Sequence, residues 1–185
     1  VLLIYSLVCQ ADGGKDSYIF RKVDYQQGLS NSAVLCLFQD NTGLMWFGTY
    51  DGVNCYDGRS MEVFRSDFSA PKALSNNVIH SIQQADSSCL WITTHLGVNR
   101  FSQDSRQVVG YYDFTGDYYL HSNPKGDTWV VSDEGIFYYN TYHKKFVHLK
   151  NIEIPVENMD QRAFVTDDGV LWTFPRNTGS LIQCS

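Results

Sequence analysis

Basic clusters, metal-spaced cysteines and long apolar runs are all missing from this chain, and each absence removes a class of function. The 14 Lys and Arg stand against 20 Asp and Glu, for a formal charge of −6, and no basic run is longer than Lys144-Lys145. Nucleic-acid binding leaves a cationic stripe, so no nucleic-acid partner is expected, and a short polyanion is disfavoured for the same reason. The cysteines, at 9, 36, 55, 89 and 184, show no Cys-x-x-Cys spacing. They read as small strand residues, with a disulfide possible in an oxidising compartment. The longest apolar run, Val1 to Ala11, is too short to span a bilayer as a helix, which takes about 20 residues. It reads as the apolar part of a secretory leader cleaved near Ala11, against a buried first strand. There is no low-complexity segment, and Ala70-Pro71-Lys72 and Ile154-Pro155-Val156 fall between repeated units.

Catalytic signatures are absent too. The histidines at 80, 95, 121, 143 and 148 form no His-x-His or His-Glu-x-x-His pattern, and there is no Gly-x-Ser-x-Gly elbow, phosphate loop or dinucleotide fingerprint. No metal and no cofactor are expected. Asp133-Glu134 are adjacent, so on a strand their carboxylates point to opposite faces and do not make a glycosidase pair.

What the chain does contain is a repeat. The stretch Leu44-Met45-Trp46-Phe47-Gly48-Thr49-Tyr50-Asp51-Gly52-Val53-Asn54-Cys55-Tyr56 returns as Leu90-Trp91-Ile92-Thr93-Thr94-His95-Leu96-Gly97-Val98-Asn99-Arg100-Phe101, with Trp, Gly, hydrophobe, Asn and aromatic in one register. Upstream, Leu29-Ser30-Asn31 matches Leu74-Ser75-Asn76, Val34 matches Ile79 and Leu37 matches Ile82. Weaker copies carry Trp129 with Gly135, and Trp172 with Gly179, so the Trp spacings are 45, 38 and 43. Each copy contains short runs rich in Val, Ile, Phe, Tyr and Trp between turn signals such as Asp-Asn-Thr-Gly and Tyr-Asp-Gly, and none has a long helical pattern.

Such units are four-stranded antiparallel blades, and the chain reads as an all-β protein, a β-propeller of about four blades over 28–68, 73–114, 117–150 and 160–185. In the first blade the strands fall at 33–39, 44–49, 53–56 and 62–66, with Trp46 packing between sheets and Gly48 admitting a close neighbouring backbone. The alternation from Tyr18 to Val23 predicts one further strand ahead of the first blade. Either it closes a small four-bladed ring or the chain is part of a larger, seven-bladed-type propeller, and the larger propeller is the expectation.

The wording Gly28-Leu29-Ser30-Asn31, Phe38-Gln39-Asp40, Gly43-Leu44-Met45-Trp46-Phe47-Gly48-Thr49 and Asp51-Gly52-Val53-Asn54-Cys55-Tyr56-Asp57 resembles the two-component regulator propeller repeat. That resemblance implies a periplasmic sensor region of a hybrid two-component histidine kinase, non-catalytic in itself, binding an oligosaccharide released from polysaccharide. It further implies a homodimer through the full-length sensor, and contact with the membrane only through a helix outside this sequence.

In a propeller the loop entering each first strand and the turn between the second and third strands open on one face, around the axis. That face should collect Asn31, Tyr50, Asp51, Asn76, His95, Asp133 and Glu134, with His95 as its only histidine. Hydroxyl, amide and carboxylate groups beside the Tyr50 ring suit a polyhydroxylated ligand. The same Asn and Asp residues are also good turn formers, so the two readings stand together for Asn31, Asn76 and Asp51. A propeller lyase or hydrolase and a protein-interaction propeller are the alternatives.

Overall fold

The computed structural model describes residues 8–10, 17–132, 134–149, 163–173 and 181–184. A short hairpin pairs β1 (Val8–Gln10) with β2 (Ser17–Ile19). Blade 1 is β3 (Val34–Gln39), β4 (Met45–Thr49), β5 (Gly52–Tyr56) and β6 (Met61–Phe64), joined in sequence order as an antiparallel meander. Blade 2 repeats this with β7 (Ile79–Gln84), β8 (Cys89–Thr94), β9 (Gly97–Ser102) and β10 (Gln107–Tyr112). Blade 3 has β11 (Tyr118–Ser122), β12 (Thr128–Ser132), β13 (Gly135–Asn140) and β14 (Lys145–His148). Blade 4 contributes β15 (Ala163–Val165), β16 (Leu171–Thr173) and β17 (Ile182–Cys184). First strands are neighbours from blade to blade, β3 against β7, β7 against β11 and β11 against β15, so they line the axis. The chain is an all-β propeller, as its repeat predicts.

Why the blades stack follows from the alternation of their strands. Trp46, Val53 and Leu74 interleave with Ile79, Ile82, Leu90 and Phe101 between blades 1 and 2. Trp91 and Val98 meet Leu120, Val130 and Tyr139 between blades 2 and 3, and Trp129, Val131 and Ile136 meet Val165 and Leu171 between blades 3 and 4. Each buried Trp also places its indole N–H: Trp46 on Asp40 (2.8 Å), Trp91 on Thr128 of the next blade (3.0 Å), Trp129 on the Gly169 carbonyl of the next blade (3.1 Å). Burying so large a ring is favourable only when its donor is satisfied.

Asp40 shows how a turn residue becomes a joint between blades. Its carboxylate accepts from Thr42 N and Leu44 N in the turn, from Trp46, and from Gln103 Nε2 of blade 2 at 2.7 Å. Burial works against its charge, yet the hydrogen bonds from Thr42, Trp46 and Leu44 together hold the carboxyl below the usual carboxylate range. Gly43, at φ 90°, closes that turn in the left-handed region where other residues are strained.

Several expected details need correction. The strand expected from Tyr18 to Val23 ends at Ile19 and pairs with β1, so it does not close blade 4. The cause is local. Asp24 caps a 3-10 turn over Tyr25–Gln27, with Gln27 reaching back to the Asp24 N–H, and these side chain to backbone bonds compete with a strand. β6 stops at Phe64 rather than Ser66, because the Ser66 N–H is taken by the Asn77 side chain (2.7 Å). Gly48 makes room for side chains instead of a backbone: a Cβ there would lie 2.6 Å from Ile79 Cγ2 of blade 2 and closer still to Cys36 Sγ. The leader reading of residues 1–11 falls largely outside the described residues, although 8–10 are in β1.

Candidate functional site

The rim is built by stitching each turn between second and third strands to an entry loop. Asn54, fully buried in β5, accepts from Ser30 N (2.8 Å) and donates to Ser30 Oγ (2.8 Å), while Ser30 Oγ also meets Thr49 Oγ1 (3.0 Å). Blade 2 repeats the arrangement with Asn99, Ser75 and Thr94. Across blades, Gly52 N donates to Asn77 O (2.8 Å), and within blade 2 His95 N donates to Val78 O (3.1 Å). The two loop sets therefore do share one face.

On that face the expected residues divide. Asn31 and Asn76 each spend their side-chain oxygen on a backbone N–H two residues on, Ala33 and Val78, both at 2.8 Å. This is turn chemistry. Asp51 holds Arg65 through two hydrogen bonds of 3.1 and 2.9 Å, and that guanidinium keeps its carboxyl below the usual range. Tyr50 is 54% exposed, and His95 and Glu134 are exposed as well. Asp133 lies outside the described residues.

A second histidine joins this face, contrary to the sequence reading. The His80 ring sits edge-on to His95 with centroids 6.0 Å apart. Its position comes from a β-bulge: β7 pairs Ile79 with Thr94 and Ser81 with Thr93, leaving His80 as the extra residue. A bulge re-aims the side chain it carries, a device common beside functional sites. Blade 1 has the same irregularity at Leu35, so the bulge does not itself require an imidazole.

Between β7 and β11 this bulge opens on a cleft of about 480 Å³, walled by His80, Ser81 and Gln83 from blade 2 and by Asp117, Tyr119 and His121 from blade 3. That is within the range of small-molecule sites, about 300–1,000 Å³. Most of its neutral polar groups are already paired, within blade 2 or across to blade 3. Gln83 donates to Leu120 O (2.7 Å) and accepts from Ser122 N (3.0 Å), Ser81 and Thr93 share a hydroxyl bond (2.8 Å), and Tyr118 OH donates to Thr94 O. The groups left facing the cleft are titratable, namely His80, Asp117 and Tyr119, and His95 lies against the His80 ring. Burial, and next the His95 charge, lower the His80 pKa, with Asp117 opposing them. Burial alone pushes His121 down to about 4, and its Nε2 is shut away from solvent without a partner. A slightly larger groove on blade 1 is walled by Val23, Leu29, Leu35, Leu37 and Phe47, and its one titratable group is the Cys36 thiol, which burial pushes up to about 11.

None of His80, Asp117, Tyr119 or His121 was marked as a site residue by the sequence. Simple alternation puts His80 on the face of the buried Ile82, and only the bulge turns it outward, so no local pattern marks it. Asp117 and Tyr119 belong to a copy whose repeat is too weak to align. Among the described residues no group of three His, Cys, Asp or Glu side chains is placed to hold a metal ion.

Residues 28–51 match the family described as "Two component regulator propeller". Histidine kinase P4 of Formosa agariphila is 31% identical over 67 residues, which are 36% of this chain and 5% of that protein. The extracellular domain assigned to hybrid two component system BT3049 of B. thetaiotaomicron superposes with a TM-score of 0.69 at 22% identity, covering 89% of this chain and 26% of that one. The extracellular domain of BT4673 from the same organism gives 0.63 at 22% identity, covering 84% and 20%. The chain thus spans about a quarter or less of these relatives. Its fold is that of these two extracellular domains, and residues 28–51 match the two component regulator propeller repeat.

Proposed function

We propose that this chain is part of the ligand-sensing, extracytoplasmic propeller of a hybrid two-component sensor, that its ligand is an oligosaccharide, and that it binds without cleaving it. The observation that carries the reading is the cleft between β7 and β11, where fixed neutral groups form the walls and free titratable groups face the opening. Sugar hydroxyls both donate and accept, and so match imidazole, carboxylate and phenol together. The matched repeat family and the printed descriptions of the similar extracellular domains support the sensor role and an extracytoplasmic location. On this reading Tyr50 and Glu134 extend the binding face along the rim, while Asn31, Asn76 and Asp51 shape it. Signalling would pass through a dimer of the full sensor and one membrane helix to a kinase, both outside this sequence, and needs only that the ligand favour one arrangement over the other.

The test is calorimetric titration with a panel of glycan oligosaccharides, with product analysis on the same samples. Saturable binding and intact sugar are expected. Cleavage would replace the receptor with the propeller lyase or hydrolase, and no binding by any sugar would remove the ligand class.

A further inference from the structure

We propose that the cleft takes an acidic sugar, a hexuronate residue of the oligosaccharide, with its carboxylate between His80 and His95 and a ring hydroxyl on Asp117; this deepens the oligosaccharide reading and rests on it. The cleft's amide and hydroxyl groups are paired with each other or with backbone, so recognition falls to His80, His95, Asp117 and Tyr119. Neither imidazole makes a hydrogen bond or an ion pair among the described residues, and the nearest carboxylate influence on His80 is Asp117. The two rings lie edge to face with centroids 6.0 Å apart, so both imidazoles stand at one place on the face, within reach of a single carboxylate.

The titratable groups around His80 come from the β8–β9 turn and from β11 and its approach, while β3 and β4, also packed against β7, carry only the Cys36 thiol. His95 lies on the β8–β9 turn, Asp117 just ahead of β11, and Tyr119 and His121 on β11 itself, with no Lys or Arg among the residues that wall the cleft. Any positive charge offered to a ligand there must come from imidazole. The low Lys and Arg content argues against a short polyanion, but it does not count histidines, and a single carboxylate needs only this pair. The repeat does not demand the pair either. At the aligned positions blade 1 carries Leu35 on its bulge and Tyr50 on its turn, and both folds hold.

A carboxylate beside an imidazole favours its charged form, opposing the burial and the His95 charge that lower the His80 pKa in the free protein. Binding is therefore linked to proton uptake, and affinity rises as pH falls through the histidine range while a uronate stays ionised. A neutral sugar brings no such linkage.

The experiment is calorimetry of the full chain with uronic-acid trisaccharides, namely galacturonate, glucuronate and mannuronate trimers. Each is set beside its carboxyl-reduced counterpart, at about pH 7.5 and about pH 5.5 in buffers of different ionisation heat. The acidic trimer that binds should do so roughly tenfold more tightly at the lower pH, with about one proton taken up, and roughly tenfold more tightly than its reduced form. His80→Gln and His95→Gln should abolish the pH dependence without moving the melting curve, and His143→Gln, on an exposed turn of blade 3, should leave it intact. Equal, pH-independent binding of acidic and reduced sugars would overturn the uronate proposal while leaving the oligosaccharide receptor standing. Binding by neither would overturn both.

Discussion

His121 makes stability fall with acid in a window of its own. Its pKa drops from 6.5 to about 4 on folding, solely because burial penalises the charged ring. Below about pH 6.5 the unfolded chain binds a proton there that the folded chain refuses, so acid favours unfolding until the folded site also titrates near pH 4. Linkage puts the loss at about 2 kcal/mol by pH 5 and about 3 kcal/mol by pH 4, a large share of the roughly 5–15 kcal/mol typical of a folded domain. Replacing His121 with Leu removes the titration. Because its Nε2 has no partner, the substitution also breaks no hydrogen bond from that atom. Urea unfolding of both proteins from about pH 7.5 to about pH 4 isolates the effect, since every other titrating group cancels in the difference. The low pKa of Asp57, about 2 and set first by the Ser60 N–H and then the Arg59 N–H, acts in a separate, more acidic window. The difference curve should rise steadily in favour of the variant as pH falls through the His121 window. A curve flat to within about 0.5 kcal/mol would refute the reasoning.

Other perturbations test the packing and the rim. Trp91→Ala should cost about 3–5 kcal/mol in urea unfolding, because the ring is 1% exposed, meets Tyr112, Tyr139 and Phe146, and ties blade 2 to Thr128. Gly48→Ala should cost about 1–3 kcal/mol, read as a lower melting midpoint, since its methyl group must displace Ile79 or Cys36. Asn99→Ala should lose about 1–3 kcal/mol by stranding Ser75 N–H and the Ile92 carbonyl, whereas Asn76→Ala, which gives up one half-buried turn bond, should lose under about 1 kcal/mol. Equal losses at the two asparagines would contradict the division of the rim into buried struts and turn formers.

How much of this was legible beforehand depends on the range of the interaction. The Trp, Gly and turn positions of blades 1 and 2 were readable because strand alternation and turn chemistry are local. Asn54 and Asn99 were visible as a matched pair, but not as the struts they are, because each amide reaches back 24 residues to a serine. For Asn31 and Asp51 the turn and ligand readings could not be separated, because a sequence does not show that Ala33 N–H and Arg65 occupy them. The cleft was the least legible feature. It exists only where β7 meets β11, its histidine is aimed by a bulge that no composition reveals, and its other wall comes from a copy whose repeat has drifted.

The account's central claim is that ligand engages the axis-facing cleft between blades 2 and 3, and amide hydrogen exchange with and without a bound oligosaccharide addresses it most directly. Added protection should concentrate at residues 93–96 and 116–121, with the opposite rim at 57–60 and 142–144 unchanged. Protection confined to that opposite rim or to the outer strands β6, β10 and β14, under saturating ligand, would contradict it.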